Sequence, residues 1–261
     1  MRFLYVANRE IQTRKKELAI YAITVILIML VNETASAIYS RYTGNLTHET
    51  IYSGFFPGLL FVGGFILTSL VFVNDMFSKE HQNEWLMLPA TSLEKFLAKG
   101  ILTAFAYPVA LILVMTIASV FIEALMLLFF GSPFTMFNPL VSEVGSQLAM
   151  YFVWQSVFLL GATLFHKAHF IKTVLALFVL AIVMGLLGML FARIFFPLIT
   201  GISPFSRTIS FSFSSVQRIE DVAGLRVFIT LGKIIYYAVL PLFCWVTAYF
   251  KVEEVQATDA V

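Results

Sequence analysis

Long apolar runs alternate with short polar segments along the chain. A helix needs about 20 largely apolar residues to cross the hydrocarbon of a membrane, and membrane barrel strands would instead show short alternating segments. The pattern therefore predicts an all-α, polytopic membrane protein that forms a single transmembrane domain, residues 1–261. The predicted spans are Leu18–Ile38, Ile51–Phe77, Ile101–Phe130, Ser146–Phe165, Thr173–Leu198 and Val227–Phe250.

The composition agrees with a membrane protein. The chain is 60% hydrophobic and 12% charged, about half of the 25% charged residues that are usual in soluble domains. The net charge of +2 is too small to indicate a nucleic-acid partner. The single cysteine, Cys244, leaves no internal disulfide and no thiolate metal cluster to predict.

The distribution of Lys and Arg predicts the orientation, because these residues are enriched in cytoplasmic loops. The connection "GSPFTMFNPLVSEVG" contains neither residue, whereas "HKAHFIK" contains Lys167 and Lys172. We therefore expect both termini and segment 78–100 to be cytoplasmic. Segment 199–228 then faces outward, and its alternation of Phe and Ile with Ser favours an amphipathic stretch at the outer interface.

Segment 78–100 carries signals of a well-formed helix. Pro89 interrupts any helix that enters it, Thr91 is a good N-cap, and Glu94 three residues later completes a capping box. Apolar residues then repeat on one predicted helix face, and Glu94, Lys95 and Lys99 lie off it. This apolar face consists of Leu93, Phe96, Leu97 and Ile101.

A connection between two spans needs only a few residues, yet this segment also carries the apolar stretch "EWLML" before Pro89. Two interpretations remain open. The helix rests on the inner leaflet of the membrane, or it docks a cytoplasmic partner.

Motifs for catalysis and metal binding are missing from the sequence. There is no G-x-x-x-x-G-K-[ST] phosphate loop, no H-E-x-x-H and no G-x-S-x-G. His166 and His169 share a helical face but have no nearby carboxylate or thiol to complete a metal site. We therefore expect no enzyme activity, no catalytic residue and no metal ligand in this chain.

Three charged residues fall inside predicted spans, where charges are costly and mark functional sites. Glu123, Arg193 and Lys233 each lie roughly 7–11 Å below the predicted outer end of their span, at 1.5 Å per residue. This common depth predicts that Glu123 pairs with Arg193 or Lys233. In the alternative, the two cations reach the headgroups on their own and Glu123 is protonated.

The six spans, the basic N-terminal segment and the motif "LPATSLE" resemble the membrane subunit of a type-2 ATP-binding cassette (ABC) exporter. The corresponding stretch in that family often reads L-P-x-[ST]-x-x-E. The exit of the last span, "AYFKVEEV", is also similar to that family. The residues that match the motif are Leu88, Pro89, Thr91, Ser92 and Glu94.

The resemblance implies a fold and partners that the residues alone do not. Residues 1–17 would form an interfacial elbow helix, 78–100 a coupling loop for a separate cytoplasmic ABC ATPase subunit, and 199–228 a re-entrant outer segment. The elbow helix would carry Arg9, Arg14, Lys15 and Lys16. The docking residues would be Trp85, Leu86, Leu88, Pro89, Thr91, Ser92, Glu94 and Lys95.

The function implied is that of a permease subunit, located in the cytoplasmic (inner) membrane of a prokaryote among membrane lipids. A second permease copy or a homologue would complete the export pathway. ATP and Mg²⁺ would bind to the partner ATPase, and this chain would hold no cofactor. The alternative is a membrane anchor or assembly protein that holds a cytoplasmic partner without transport. The sequence does not choose a substrate.

Overall fold

A computed structural model describes residues 2–43, 51–77, 90–131, 134–165, 169–200 and 230–259. All regular secondary structure in these ranges is helical, as lipid requires of a backbone that must satisfy its own hydrogen bonds. The α-helices are α1 (Arg2–Thr43), α2 (Ile51–Gly58), α3 (Gly64–Phe77), α4 (Ser92–Ile101), α5 (Tyr107–Phe130), α6 (Ser142–Leu164), α7 (His169–Thr200) and α8 (Leu240–Asp259).

The prediction of six membrane-spanning helices is confirmed by length and composition. Six helical stretches are long and apolar enough to cross a membrane, so the chain is an all-helical, multi-pass membrane protein. These candidate spans are Tyr5–Tyr39, Gly54–Phe72, Ser92–Phe130, Ser142–Leu164, Phe170–Leu190 and Thr230–Glu254.

The first helix contains both the predicted elbow segment, from Arg2 onward, and the first predicted span. α1 continues from Arg2 to Thr43 without a boundary near residue 17. The physical reason is local, because this range contains neither Gly nor Pro to break the helix. Within α1, Lys15 and Lys16 are exposed, Arg9 is half-buried and Arg14 is buried.

Short π-helical segments occur at Leu59–Gly63, Leu102–Ala106 and Ile235–Val239. Two of them end shortly before a proline, Pro108 or Pro241. Proline has no N–H for the carbonyl four residues earlier, and its ring clashes with that carbonyl. Widening to a π-turn keeps the helix continuous, so Ser92–Phe130 forms one long helix, which we call the third-span helix.

The main core lies where α1 and the third-span helix run side by side. Val25 and Met29 of α1 pack with Leu111 and Met115 of α5, and Phe56 of α2 closes the cluster. In this contact region, which we call the α1 seam, the hydroxyls of Tyr21 and Tyr107 are 2.6 Å apart. Tyr107 also donates to the Leu59 carbonyl at 2.7 Å.

The remaining helices pack around α6, which contacts α3, α7 and α8. Gly161 of α6 faces the side chain of Thr173 of α7 so closely that a Cβ would overlap it. Beyond that contact, α7 is exposed on nearly all sides along its described length. The predicted outer segment 199–228 lies outside the described residues after Thr200.

Candidate functional site

The capping box predicted at the start of α4 is confirmed. Thr91 has an extended backbone, with φ −67° and ψ 155°, and its Oγ1 accepts the Glu94 N–H at 3.3 Å. Glu94 Oε2 in turn accepts the Thr91 N–H at 2.9 Å. Two N–H groups that the first turn leaves unpaired are thus satisfied, and the helix begins at a fixed point.

One side of α4 packs against two other helices through Phe96. Its ring contacts Phe72 of α3 and Trp245 and Tyr249 of α8, with centroids 5.8 to 5.9 Å apart. All three contacts are steeply inclined, in the edge-to-face arrangement that aromatic pairs favour. A movement of α4 therefore acts directly on α3 and α8.

The rest of the predicted apolar face is partly exposed. Leu93 is 48% exposed and Ile101 is 38% exposed. Leu93 lies in the first turn of α4, next to the capping box. The pattern predicted one continuous apolar face, but the structure divides it into a buried part at Phe96 and an exposed part at Leu93.

The lysines of α4 lie off the predicted apolar face, as the pattern indicates, but both are buried. Lys95 is 4% exposed and Lys99 is 1% exposed, although charged side chains are rarely buried. The reason is a partner distant in sequence, because the Lys99 ammonium lies 3.9 Å from Oε1 of Glu10 in α1.

Glu10 and Lys99 belong to a small ion cluster that joins three helices. Glu10 also pairs with Arg14 at 3.8 Å, and Arg14 reaches Glu17 at 3.5 Å. Lys99 donates to the Val71 carbonyl of α3 at 3.2 Å. Buried charges need both a counter-ion and hydrogen bonds, and for Lys99 this cluster, the Glu10–Lys99 cluster, supplies both.

The predicted docking residues are described only in part. Thr91 is exposed, Ser92 and Glu94 are half-buried and Lys95 is buried. The remaining predicted docking residues lie outside the described residues. They are Trp85, Leu86, Leu88 and Pro89.

The predicted pairing of Glu123 with Arg193 or Lys233 is not what the structure shows. Glu123 is 2% exposed, and its Oε1 accepts the hydroxyl of Tyr52 at 2.8 Å. Thr135 donates to it through its N–H, at 3.3 Å, and its hydroxyl, at 3.5 Å. Arg193 and Lys233 are exposed on other helices, because equal depth in a bundle does not place residues on facing sides.

Sequence reasoning missed Glu10, Glu33 and Tyr52 as members of polar clusters. Glu33 is buried in α1, with 3% exposure, and the rule that flagged Glu123 also applies to it, because it interrupts an apolar run. Glu10 carried no such signal, since it lies in a charged stretch that a sequence pattern treats as solvated.

Comparisons of the chain with protein-family models, with curated proteins and with solved structures found no match.

Proposed function

We propose that this chain is the membrane subunit of an ATP-driven exporter, with segment 78–100 as the docking site for a cytoplasmic ATPase subunit. One observation carries the proposal. The exposed start of α4 is the end of an uninterrupted helix, Ser92–Phe130, that continues as the third candidate span. A partner bound at this end can therefore move a helix that extends across the membrane.

The contacts of α4 support a mechanical role. The Glu10–Lys99 cluster ties it to α1, and Phe96 ties it to α3 and α8. Leu93 is exposed close to these contacts. Force applied there by a docked partner therefore reaches α1, α3 and α8, as well as α5, into which α4 continues. A connector that only joined two spans would need none of these contacts.

The pathway itself requires a second permease subunit, either a copy of this chain or a homologue. The exposed faces of α7 are compatible with such a partner and with lipid. In this scheme ATP and Mg²⁺ bind to the ATPase subunit. The residues of this chain transmit its movement and carry no step of the hydrolysis.

The proposal is tested by purifying the tagged full-length chain from the membranes of its own host and measuring the associated ATPase subunit and its activity. Leu93→Ala removes the exposed side chain at the proposed interface. Leu113→Ala is the matched control, because Leu113 is 57% exposed on the same long helix but far from the docking end.

We expect wild type and Leu113→Ala to retain the ATPase subunit equally. Leu93→Ala should bind it roughly tenfold more weakly, as truncating a central apolar interface residue does. Absence of any ATPase subunit from the wild-type preparation would refute the proposal. A stable complex with a cytoplasmic protein that hydrolyses no ATP would favour the membrane-anchor alternative instead.

A further inference from the structure

A groove runs along the α1 seam. It has a volume of about 430 Å³, within the range of about 300–1,000 Å³ that is usual for ligand sites. Its walls are formed by α1 and the third-span helix, and Leu67 of α3 also lines it. We call this space the seam groove.

The seam groove exists because small side chains line it on both helices. An alanine leaves open the volume that a larger side chain would fill in a close-packed interior. Three of the alanines are exposed, so the groove is open to the surroundings of the chain. The four lining alanines are Ala19 and Ala22, of which Ala22 is half-buried, and Ala106 and Ala110.

The groove is elongated along the two helices. Its lining residues extend from Ile11 to Val25 on α1 and from Leu102 to Val114 on the third-span helix. At 1.5 Å per residue this is a length of about 20 Å. One leaflet is half of a hydrocarbon core that is about 30 Å thick, so the groove is long enough for an acyl chain that lies across one leaflet.

The walls have the chemistry that a hydrocarbon chain requires. All lining residues are Ile, Leu, Val, Ala or Tyr. The hydroxyls of Tyr21 and Tyr107 are bonded to each other and to the Leu59 carbonyl, so a chain in the groove contacts their rings. Water does not fill an apolar cavity readily, and an empty groove would lose the dispersion contacts of its walls. In a membrane, a lipid chain is the group that matches this space.

A positive charge lies near one end of the groove. Lys15 is one turn after Ile11 and one turn before Leu18, so it lies on the groove side of α1. It is exposed and takes part in none of the ion pairs found in the described part of the chain. Residues 9–17 and α4 together contain six Lys or Arg and three Glu, so this end of the groove is positively charged.

We propose that the seam groove binds one anionic phospholipid, with an acyl chain along the groove and the phosphate at the Lys15 ammonium. The apolar walls alone would not hold a particular lipid, because lipid tails are as apolar as the side chains that they contact. Selectivity comes from the charge-assisted contact between the phosphate and Lys15. The bound lipid contacts α1 and the third-span helix together, and its binding does not depend on an ATPase partner.

The site is tested by native mass spectrometry of the full-length chain, purified in nonionic detergent and titrated with phosphatidylglycerol or phosphatidylcholine. We expect one phosphatidylglycerol to bind more tightly than phosphatidylcholine. Lys15→Gln should weaken phosphatidylglycerol binding about fivefold, as the loss of one basic residue near anionic lipid does, and leave phosphatidylcholine binding unchanged. Lys16→Gln is the matched control, because it removes the same charge from the next exposed residue, on another side of α1. Equal effects of the two variants would overturn the proposal in favour of a general attraction to anionic lipid.

A second variant tests the groove itself. Ala110→Leu places a larger side chain in the groove and should abolish the tight binding of phosphatidylglycerol. Ala124→Leu is its control, because Ala124 is an exposed alanine on the same helix and does not line the groove.

A phosphatidylglycerol with a photoreactive group at the end of one acyl chain locates the bound lipid. It should label residues 18–25 and 102–114 in the wild type and in Ala124→Leu, but not in Ala110→Leu. Labelling confined to other segments, or no preference for phosphatidylglycerol, would overturn the proposal. If Ala110→Leu left lipid binding intact and instead separated a dimer of the chain, a second copy would occupy the groove and the proposal would also be overturned.

Discussion

Removing the charge of Glu10 tests whether the Glu10–Lys99 cluster stabilises the joint between α1 and α4. The Lys99 ammonium is 1% exposed and lies 3.9 Å from the Glu10 carboxylate. In the variant Glu10→Gln this cation stays buried and loses its attraction to the Glu10 carboxylate. The variant thus measures what the Glu10–Lys99 pair contributes at the joint between α1 and α4.

The magnitude follows from the distance and the remaining contacts. Two charges about 4 Å apart interact by about 4 kcal/mol at an effective dielectric constant of 20, and breaking a buried pair typically costs 3–5 kcal/mol. Lys99 keeps its hydrogen bond to Val71 and its position over the Phe72 ring at 5.9 Å. We therefore expect Glu10→Gln to lower the free energy of unfolding by about 3 kcal/mol.

The assay is reversible unfolding in mixed micelles, arranged as a double-mutant cycle with Lys99→Met. The double variant should be less destabilised than Glu10→Gln alone, because the stranded charge is gone. Lys251→Met is the control, since Lys251 and Glu254 form an exposed pair worth about 0–1 kcal/mol. A Glu10→Gln effect no larger than that control, or strict additivity in the cycle, would refute the reasoning.

Two further substitutions test the local geometry of α4. Thr91→Ala removes the hydroxyl that accepts the Glu94 N–H and should lower the free energy of unfolding by about 1 kcal/mol, whereas Thr91→Ser should change it little. Both variants are measured by the same unfolding assay. Gly100→Ala places a Cβ 2.7 Å from the Trp245 ring and should destabilise the packing by about 1–3 kcal/mol. Gly185→Ala meets open space and should be neutral or slightly stabilising, so equal effects of the two glycine variants would contradict the packing argument.

Features that depend on neighbouring residues were predictable from the sequence. The six spans follow from the length and hydropathy of single helices, and the capping box needs only Thr91 and Glu94, three residues apart. In each case the physical cause lies within one helix. The signal is therefore present in the local sequence and does not depend on the tertiary packing.

Features that depend on packing were not predictable in the same way. Lys99 looks solvated in a helical pattern, because its counter-ion Glu10 lies in another helix. Likewise, depth along the helices suggested Arg193 or Lys233 as the partner of Glu123, but the direction in which each helix faces depends on the whole bundle. In the structure the hydroxyl of Tyr52, a residue of α2, donates a hydrogen bond to Glu123 instead.

The polar contacts between α1 and the third-span helix imply that these two helices act as one unit. Glu10 meets Lys99 at one end, and Tyr21 meets Tyr107 between the ends. Met29 packs with Met115 further along both helices, about 29 Å from Glu10 at 1.5 Å per residue. The contacts occur in the same order along both helices, so the helices are parallel.

A parallel pair joined at several points cannot slide at one point without straining the others. Sites this far apart normally add within about 0.3–0.5 kcal/mol. If the two helices move as a unit, Glu10→Gln and Met29→Ala should instead be non-additive by more than that in unfolding measurements. Additive effects would mean that the two sites respond independently, and a movement imposed on α4 would then stop short of Met29.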